Sequence, residues 1–398
     1  MDDSRPVVAY VASLELMKVS SLLPSNRQRS ALVHNLARSL GLYARKDASK
    51  RILALVSPQA ATRAELSVYH TDEYLDFVLN PDADDDASKS ELGLEDDCPL
   101  FKGVGDYVAL IGGAAITAVK KLQHPRCEVA IVWDGGRHHA QKARAAGFCY
   151  VADCTLAIMS LRRIPQPISS GGHRKPRIMY LDLDLHFSDG VSHAFHQTSS
   201  QLLTLSIHHA APGFFPSSPL AHLPTPESDP FTLSLLLHQG AANSTFLRAW
   251  RCVELIHSVF DPDYLILQCG VDGLAGDPCA IFNWSLGPAE SEAGSLGWCL
   301  SRALSWRGKK LLLGGGGYHS ANAARAYAYL TSIAIGAPLP LDTHIPEHEY
   351  FPEYAPSFTL DVPPGTMQDR NTDAYLCEVE AAFAVAAEKI TARMQPQN

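Results

Sequence analysis

The sequence predicts an α/β fold: a single domain over residues 1–398, core at about 7–375, with a mostly parallel multi-stranded sheet flanked by helices. Three observations predict it. Short, continuously apolar runs recur along the chain, longer amphipathic segments separate them, and neither a repeat nor a linker-like stretch divides the whole. A strand with one wet face alternates apolar and polar residues. A strand covered on both faces does not, so continuous runs between helices imply a parallel, doubly wound sheet.

In chain order the runs are Val129–Trp133, Ile178–Leu181, Leu202–Ile207, Tyr264–Gln268 and Leu311–Leu313. Helical periodicity covers Ser30–Leu40, Tyr107–Leu122, Val151–Arg162, Ala242–Phe260, Ala289–Ser305 and Ala321–Ile335, and a closing helix starts near Asp373. Three segments break the pattern. The acidic stretch 82–97 reads as a solvated loop, and the Pro/Ser-rich stretches 165–176 and 216–230 read as irregular.

Composition removes several classes of function. At 46% hydrophobic and 19% charged residues the chain is neither disordered nor fibrous. No apolar stretch reaches the ~20 residues a membrane span needs. The start, Met1-Asp2-Asp3-Ser4, lacks the basic region of a signal peptide. A net charge of −9 argues against direct nucleic-acid binding, because a duplex binder needs a basic face to displace counterions. Nine cysteines stand singly without a C-x-x-C pair, so reduced thiols in the cytosol or nucleus are expected.

In an open parallel sheet ligands bind beyond the carboxyl ends of the strands. Here five apolar runs are each followed by titratable or metal-binding groups: Asp134 to His139; Asp182, Asp184, His186 and Asp189; His208 and His209; Asp272 and Asp277; and Gly314 to His319. Strand alternation puts Asp182, Asp184 and His186 on one side and Leu181, Leu183 and Leu185 on the other. Three ionisable groups beside apolar neighbours are costly without a cation or partner. Asp184 and His186, with Asp277 as a third oxygen ligand, are therefore the expected metal set. One His and two Asp with open positions fit a catalytic zinc, which points to hydrolysis; Mn or Fe(II) would accept the same ligands. His138 and His139 could ligate metal or lie at the surface, yet beside the spare Asp182 and Asp189 they suggest His–Asp dyads supplying one acid and one base. The run Gly314–Gly317 lacks a nucleotide-binding pattern and permits close backbone approach, leaving Tyr318 as a donor to a developing oxyanion.

These residues carry a family resemblance. Trp133-Asp-Gly-Gly-Arg-His-His-Ala140, Gly147-Phe-Cys-Tyr150, Tyr180-Leu-Asp-Leu-Asp-Leu-His186, Pro212-Gly-Phe-Phe-Pro216, Ala275-Gly-Asp-Pro278 and Gly314-Gly-Gly-Gly-Tyr318 occur in this order over about residues 7–375. The chain resembles the zinc-dependent histone deacetylases of the class I type, with the arginase/deacetylase fold. The resemblance implies one Zn2+ on Asp184, His186 and Asp277, with His138 backed by Asp182 and His139 backed by Asp189 around the attacking water. Tyr318 would polarise the acetyl carbonyl. Phe148 and Phe215, with Gly147 between, would wall a tunnel for the acyl-lysine stem, and Asp97 at the rim would grip the substrate backbone. It further implies a K+ or Na+ site on Asp182, Asp184, His186 and Ser206, and Arg29 near an acetate exit. Acetylated histone or other protein lysines, a corepressor-type complex and a nuclear location, with the cytoplasm as a second one, follow in the same way.

The sequence departs from that family pattern at Phe187-Ser188, where His-Gly is usual, and at Arg137, where an apolar rim residue is common. The Pro-rich stretch after Phe215 and the apparent insertion at 165–176 are further departures. Two rival readings stand beside the deacetylase: an acetylpolyamine amidohydrolase of the same fold, and a catalytically silent scaffold of a corepressor-type complex.

Overall fold

The computed structural model describes residues 4–44, 49–80, 86–168 and 171–394, with the side chains of 86–88 outside the description. Among the described residues ten strands occur in chain order: β1 (Val7–Val11), β2 (Ile52–Val56), β3 (Cys127–Val132), β4 (Gln166–Ile168), β5 (Gly172–Arg174), β6 (Ile178–Asp182), β7 (Leu202–His208), β8 (Thr232–Leu236), β9 (Tyr264–Gln268) and β10 (Lys309–Leu313). Eight of them form one sheet in the order β2-β1-β3-β10-β9-β6-β7-β8. Every neighbouring pair in it is parallel. Strands β6, β7 and β9 are buried at every residue, which is why their sequences read as continuous apolar runs.

Apolar side chains on the two faces of the sheet form two cores. One contains Val8, Ile131, Leu181, Leu205 and Leu267 and is closed by helices Arg29–Ser39, Asn243–Phe260, Leu296–Ser305, Ser320–Ala334 and Asp373–Met394. The other contains Ala9, Ala130, Tyr180, Ile266 and Leu311 and is closed by helices Val104–Leu122 and Asp153–Leu161. The chain leaves β3 for β6, fills outward to β8, then returns inward through β9 and β10. The four central strands β3, β10, β9 and β6 therefore end side by side, the position at which a doubly wound sheet binds ligands.

Several expectations are corrected. The stretch 165–176 is not irregular: β4 and β5 pair as an antiparallel hairpin, with Gln166 opposite Arg174. Within 82–97 the segment Asp86–Glu91 is helical, while 81–85 lie outside the described residues. The helix expected from Ala289 begins at Leu296, because Gly294 turns with φ 88 and the Ser295 hydroxyl caps the amide of Trp298. The stretch 216–230 is irregular apart from the short 3-10 turn Pro219–Ala221. The nine cysteines are free thiols. No helix among the described residues is long and apolar enough to cross a membrane.

Two core histidines set a pH limit on stability. His70 accepts the Ala152 amide at Nε2 and faces the Lys142 carbonyl through Nδ1, and burial pushes it down to about 4. His208 lies between the Ser206 hydroxyl and the Ala221 carbonyl, and burial pushes it down to about 4 as well. The unfolded chain binds these protons near 6.5 and the folded chain does not, so stability falls as pH drops from 6.5 towards 4. The expected loss by the lower limit is up to roughly 3 kcal/mol per histidine. Urea unfolding midpoints compared near neutral pH and about two units lower should show it; equal midpoints would refute it.

Candidate active site

The turn after β3 is built by Asp153, whose carboxylate oxygens accept the amides of Gly136 (2.8 Å) and Arg137 (2.7 Å). Gly136, at φ 88, abuts the loop after β10 so closely that a Cβ there would stand 2.2 Å from the Gly314 carbonyl oxygen. Only glycine lets the two loops meet. The turn presents His138 and His139 inward, both buried, with ring centroids 3.9 Å apart.

Each histidine has its own carboxylate. His138 Nδ1 lies 2.8 Å from Asp182 Oδ2, an oxygen that also accepts the Tyr180 hydroxyl, and His139 Nδ1 lies 2.7 Å from Asp189 Oδ1. These contacts fix Nδ1 as the bonded nitrogen of both rings and leave Nε2 for chemistry. Burial by itself would lower the His138 pKa, but the charges of Asp182 and Asp184 outweigh it and carry the ring up to about 9. Burial, followed by the charge of His138, pushes His139 down. One imidazole is thus held charged and its neighbour neutral, the division of labour an acid–base pair needs.

Beside the dyads, Asp184, His186 and Asp272 each offer a ligand atom within 4.8 Å of the others. His186 Nδ1 lies 2.9 Å from Asp272 Oδ2 and 3.3 Å from Asp184 Oδ1. The carboxylates are held by donors: Asp184 Oδ2 accepts the Gly316 amide (2.7 Å) and the Gln268 side chain (2.9 Å), and Asp272 Oδ1 accepts the Leu185 amide (2.9 Å). Burial and the charge of Asp184 push Asp272 up to about 7, so the pocket holds more negative charge than it can solvate. Two buried carboxylates and one imidazole converging on one point fit a divalent cation with open positions.

The third ligand expected from Asp277 is therefore corrected to Asp272. The Asp277 carboxylate is engaged elsewhere: Oδ2 accepts the amides of Tyr318 (2.6 Å) and His319 (3.0 Å), and Oδ1 accepts that of Cys279 (2.9 Å). Asp184 and His186 also lie past the end of β6, so strand alternation is not what unites them; the hydrogen bond from the Leu185 amide to Asp272 orders that turn.

The other expected residues fall as follows. Burial, then the charges of Asp272 and Asp184, holds the Tyr318 phenol well above its ordinary pKa, so it stays a hydroxyl donor. Phe148 packs edge-on to Tyr318 (5.6 Å) and Phe215 edge-on to His139 (4.9 Å). A Cβ on Gly147, at φ 53, would meet the His139 ring at 2.5 Å and the Phe215 ring at 2.9 Å, so this backbone lies directly against both. Asp97 Oδ2 accepts the Gly147 amide at 2.7 Å. Arg29 is buried and its Nη1 donates to the carbonyls of Gly315 (2.9 Å) and Gly317 (3.0 Å), clamping the glycine loop. Ser206 pairs with Asp182 in the β6–β7 register, and its hydroxyl is 2.9 Å from His208 Nδ1.

The two departures take definite places. Phe187 is buried with its ring 4.9 Å from His208, and Ser188 Oγ meets Ser192 Oγ, so the pair serves core packing and the start of helix Asp189–Phe195. Arg137 is not at a rim but inside the protein, 5% exposed. Residues that sequence reasoning missed are Asp272 as a member of the triad, Gln268 as its neighbour's support, and Tyr180 and Asp153 as supports of the dyad and turn. For Tyr180 a signal existed, since it shares strand parity with Asp182.

Comparison with known proteins agrees with this geometry. The family model described as histone deacetylase domain matches residues 23–334. Histone deacetylase 8 of Danio rerio is 36% identical over 375 residues, covering 93% of this chain and 92% of the relative. Histone deacetylase 8 of Xenopus tropicalis is 34% identical over 376 residues, covering 93% and 95%. Histone deacetylase 1 of Homo sapiens is 31% identical over 363 residues, covering 90% and 70%. With the sheet, a triad able to hold a cation and the paired His–Asp dyads at its carboxyl edge, these matches show that the chain belongs to the histone deacetylase family.

Proposed function

We propose that the chain, a lysine deacetylase by family, hydrolyses N-ε-acetyl-lysine in histones or other proteins to lysine and acetate, with one Zn2+ held by Asp184, His186 and Asp272. The observation that carries this reading is the meeting of that triad with two His–Asp dyads at one sheet edge. A bound zinc supplies Lewis acidity towards a carbonyl and towards water. The chain's own residues supply the rest. Neutral His139, oriented by Asp189, accepts a proton from the attacking water at Nε2. Charged His138, oriented by Asp182, stabilises negative charge and supplies the proton that the departing lysine amine needs. Tyr318 donates its hydroxyl to the carbonyl oxygen as charge develops there. Phe148, Phe215 and Gly147 enclose the uncharged acyl-lysine stem and exclude water, and Asp97 holds the substrate backbone at the rim.

Further parts of the reading rest on the family alone: a K+ or Na+ beside Asp182, Asp184, His186 and Ser206, acetate leaving past Arg29, a corepressor-type partner and nuclear residence. The Ser206 hydroxyl, donating to His208, keeps lone pairs for such a cation. The described sheet and its two cores support treating residues 1–398 as one catalytic unit.

The test is turnover of an acetyl-lysine peptide beside acetylspermidine, with zinc, with a chelator and with a hydroxamate. Chelator- and hydroxamate-sensitive cleavage of the peptide is the expected result. Preference for acetylspermidine would move the chain to polyamine chemistry, and silence on both with zinc bound would leave a scaffold.

A further inference from the structure

At the edge of the sheet opposite the active site, where β9 and β10 begin, the hairpin β4–β5 borders a corner that the reaction does not use. Two hollows meet there. The first, about 290 Å3, lies against helices Val104–Leu122 and Asp153–Leu161 and has an apolar floor of Val68, Ile116, Val119, Leu156 and Ile164. The second, about 320 Å3, is lined by Arg174, Arg177, Arg307 and Lys309. Pro165 borders the first and Gln166 the second, so the root of the hairpin joins them into one surface.

The carboxylates of this corner are already spent. Asp263 takes the Arg174 guanidinium on both oxygens, at 2.6 and 2.7 Å, which seats the hairpin, and Asp261 takes Arg177 at 2.6 Å. On the wall of the first hollow Glu65 accepts Lys120 Nζ at 3.3 Å. Exposed Arg163, Lys175 and Arg307 are left without a carboxylate among the described residues, and the buried Nε of Arg177 has no acceptor. Lys309 donates to the His124 carbonyl at 2.9 Å, drawing in the end of helix Val104–Leu122 with Lys121 in its last turn. The corner is therefore positive on a chain whose net charge is −9. Such a contrast steers an acidic partner to this edge and away from the rest of the surface.

We infer that this corner docks an acidic segment of a partner protein, with apolar side chains in the first hollow and carboxylates on Arg163, Lys175 and Arg307. The apolar floor chooses between anionic partners. A nucleic acid needs a continuous basic track for its phosphates, gains nothing from a hollow of valine and isoleucine, and is repelled by the rest of an acidic chain. A free phosphate fills only the second hollow. A polypeptide with aspartates or glutamates beside apolar anchors answers both halves, since charge gives the approach and burial gives the hold. The hairpin that supplies Lys175 and seats the second hollow lies in a stretch where the sequence departs from the family pattern, so the surface is this chain's own. It stands independently of the deacetylase reading.

The experiment selects a random peptide display library on the full chain, with counter-selection on the double variant Arg163→Glu, Arg307→Glu. Both arginines are exposed, and melting temperatures confirm that the variants fold. Recovered peptides are then titrated by fluorescence anisotropy in low and high salt. The expected peptides are acidic with apolar residues between the acids, and each single charge reversal weakens them by roughly 10-fold or more and flattens their salt dependence. Ile164→Ser should weaken them while leaving the salt dependence intact. Should that variant fail to fold, the peptide with its apolar residues changed to serine decides the same point. Recovery of no peptide, or of peptides without acids, would overturn the inference. So would a DNA duplex that binds more tightly than any peptide, or inorganic phosphate bound at this corner with no peptide able to displace it. Self-association of the wild type that either charge reversal abolishes would overturn it too, giving the corner to a second copy of the chain.

Discussion

Replacing Asp272 by alanine is expected to empty the metal site and to abolish turnover, a loss of at least roughly 1,000-fold, whereas replacing Asp277 by alanine leaves the metal in place. The two aspartates lie five positions apart on the same loop after β9, so only their surroundings separate them. Asp272 Oδ2 faces His186 Nδ1 at 2.9 Å, and without it the site keeps one carboxylate and one imidazole, too few to hold a catalytic zinc. Asp277 spends its oxygens on the amides of Tyr318, His319 and Cys279. Its loss frees the peptide that aims the phenol, and effects of that supporting kind run at about 10- to 100-fold. Elemental analysis of the purified variants, read beside kcat, separates the two. Metal lost from the Asp277 variant and kept in the Asp272 variant would reverse the assignment.

That exchange marks where sequence reasoning reached its limit. The parallel sheet was legible because β6, β7 and β9 are buried on both faces and so lack polar alternation. The edge strand β8 interleaves Thr232 and Ser234 with leucines and so shows no continuous apolar run, whereas β1 and β2 are continuously apolar and still stand outside the runs named from the sequence. The hairpin β4–β5 was hidden by Pro167 and by its shortness. At the site, His138, His139, Asp182, Asp184, His186 and Asp189 could be gathered because each follows an apolar run closely. The choice between Asp272 and Asp277 could not be made that way. It depends on where a loop folds back, and the loop is placed by backbone amides that carry no side-chain signature. Arg137 was set at a rim by the resemblance alone, yet Asp153 pulls this turn inside.

Tyr318→Phe should lower kcat by roughly 100- to 1,000-fold while KM and bound metal change little, because a single oxyanion donor is lost and nothing that holds the ground state is touched. The ring itself stays anchored, packed edge-on against Phe148 at 5.6 Å and followed by a backbone pinned to Asp277. The phenol is held well above its ordinary pKa by burial and by Asp272 and Asp184, so it donates throughout the working range and its removal should scale the pH profile without shifting it. A retained kcat would mean that the carbonyl oxygen is stabilised without the tyrosine. The same variant also tests Asp277. If Asp277 acts by aiming this hydroxyl, Asp277→Ala should cost little more once the hydroxyl is gone, since residues serving one contact are not additive. Two full, independent losses would instead assign Asp277 a task of its own, apart from the tyrosine loop.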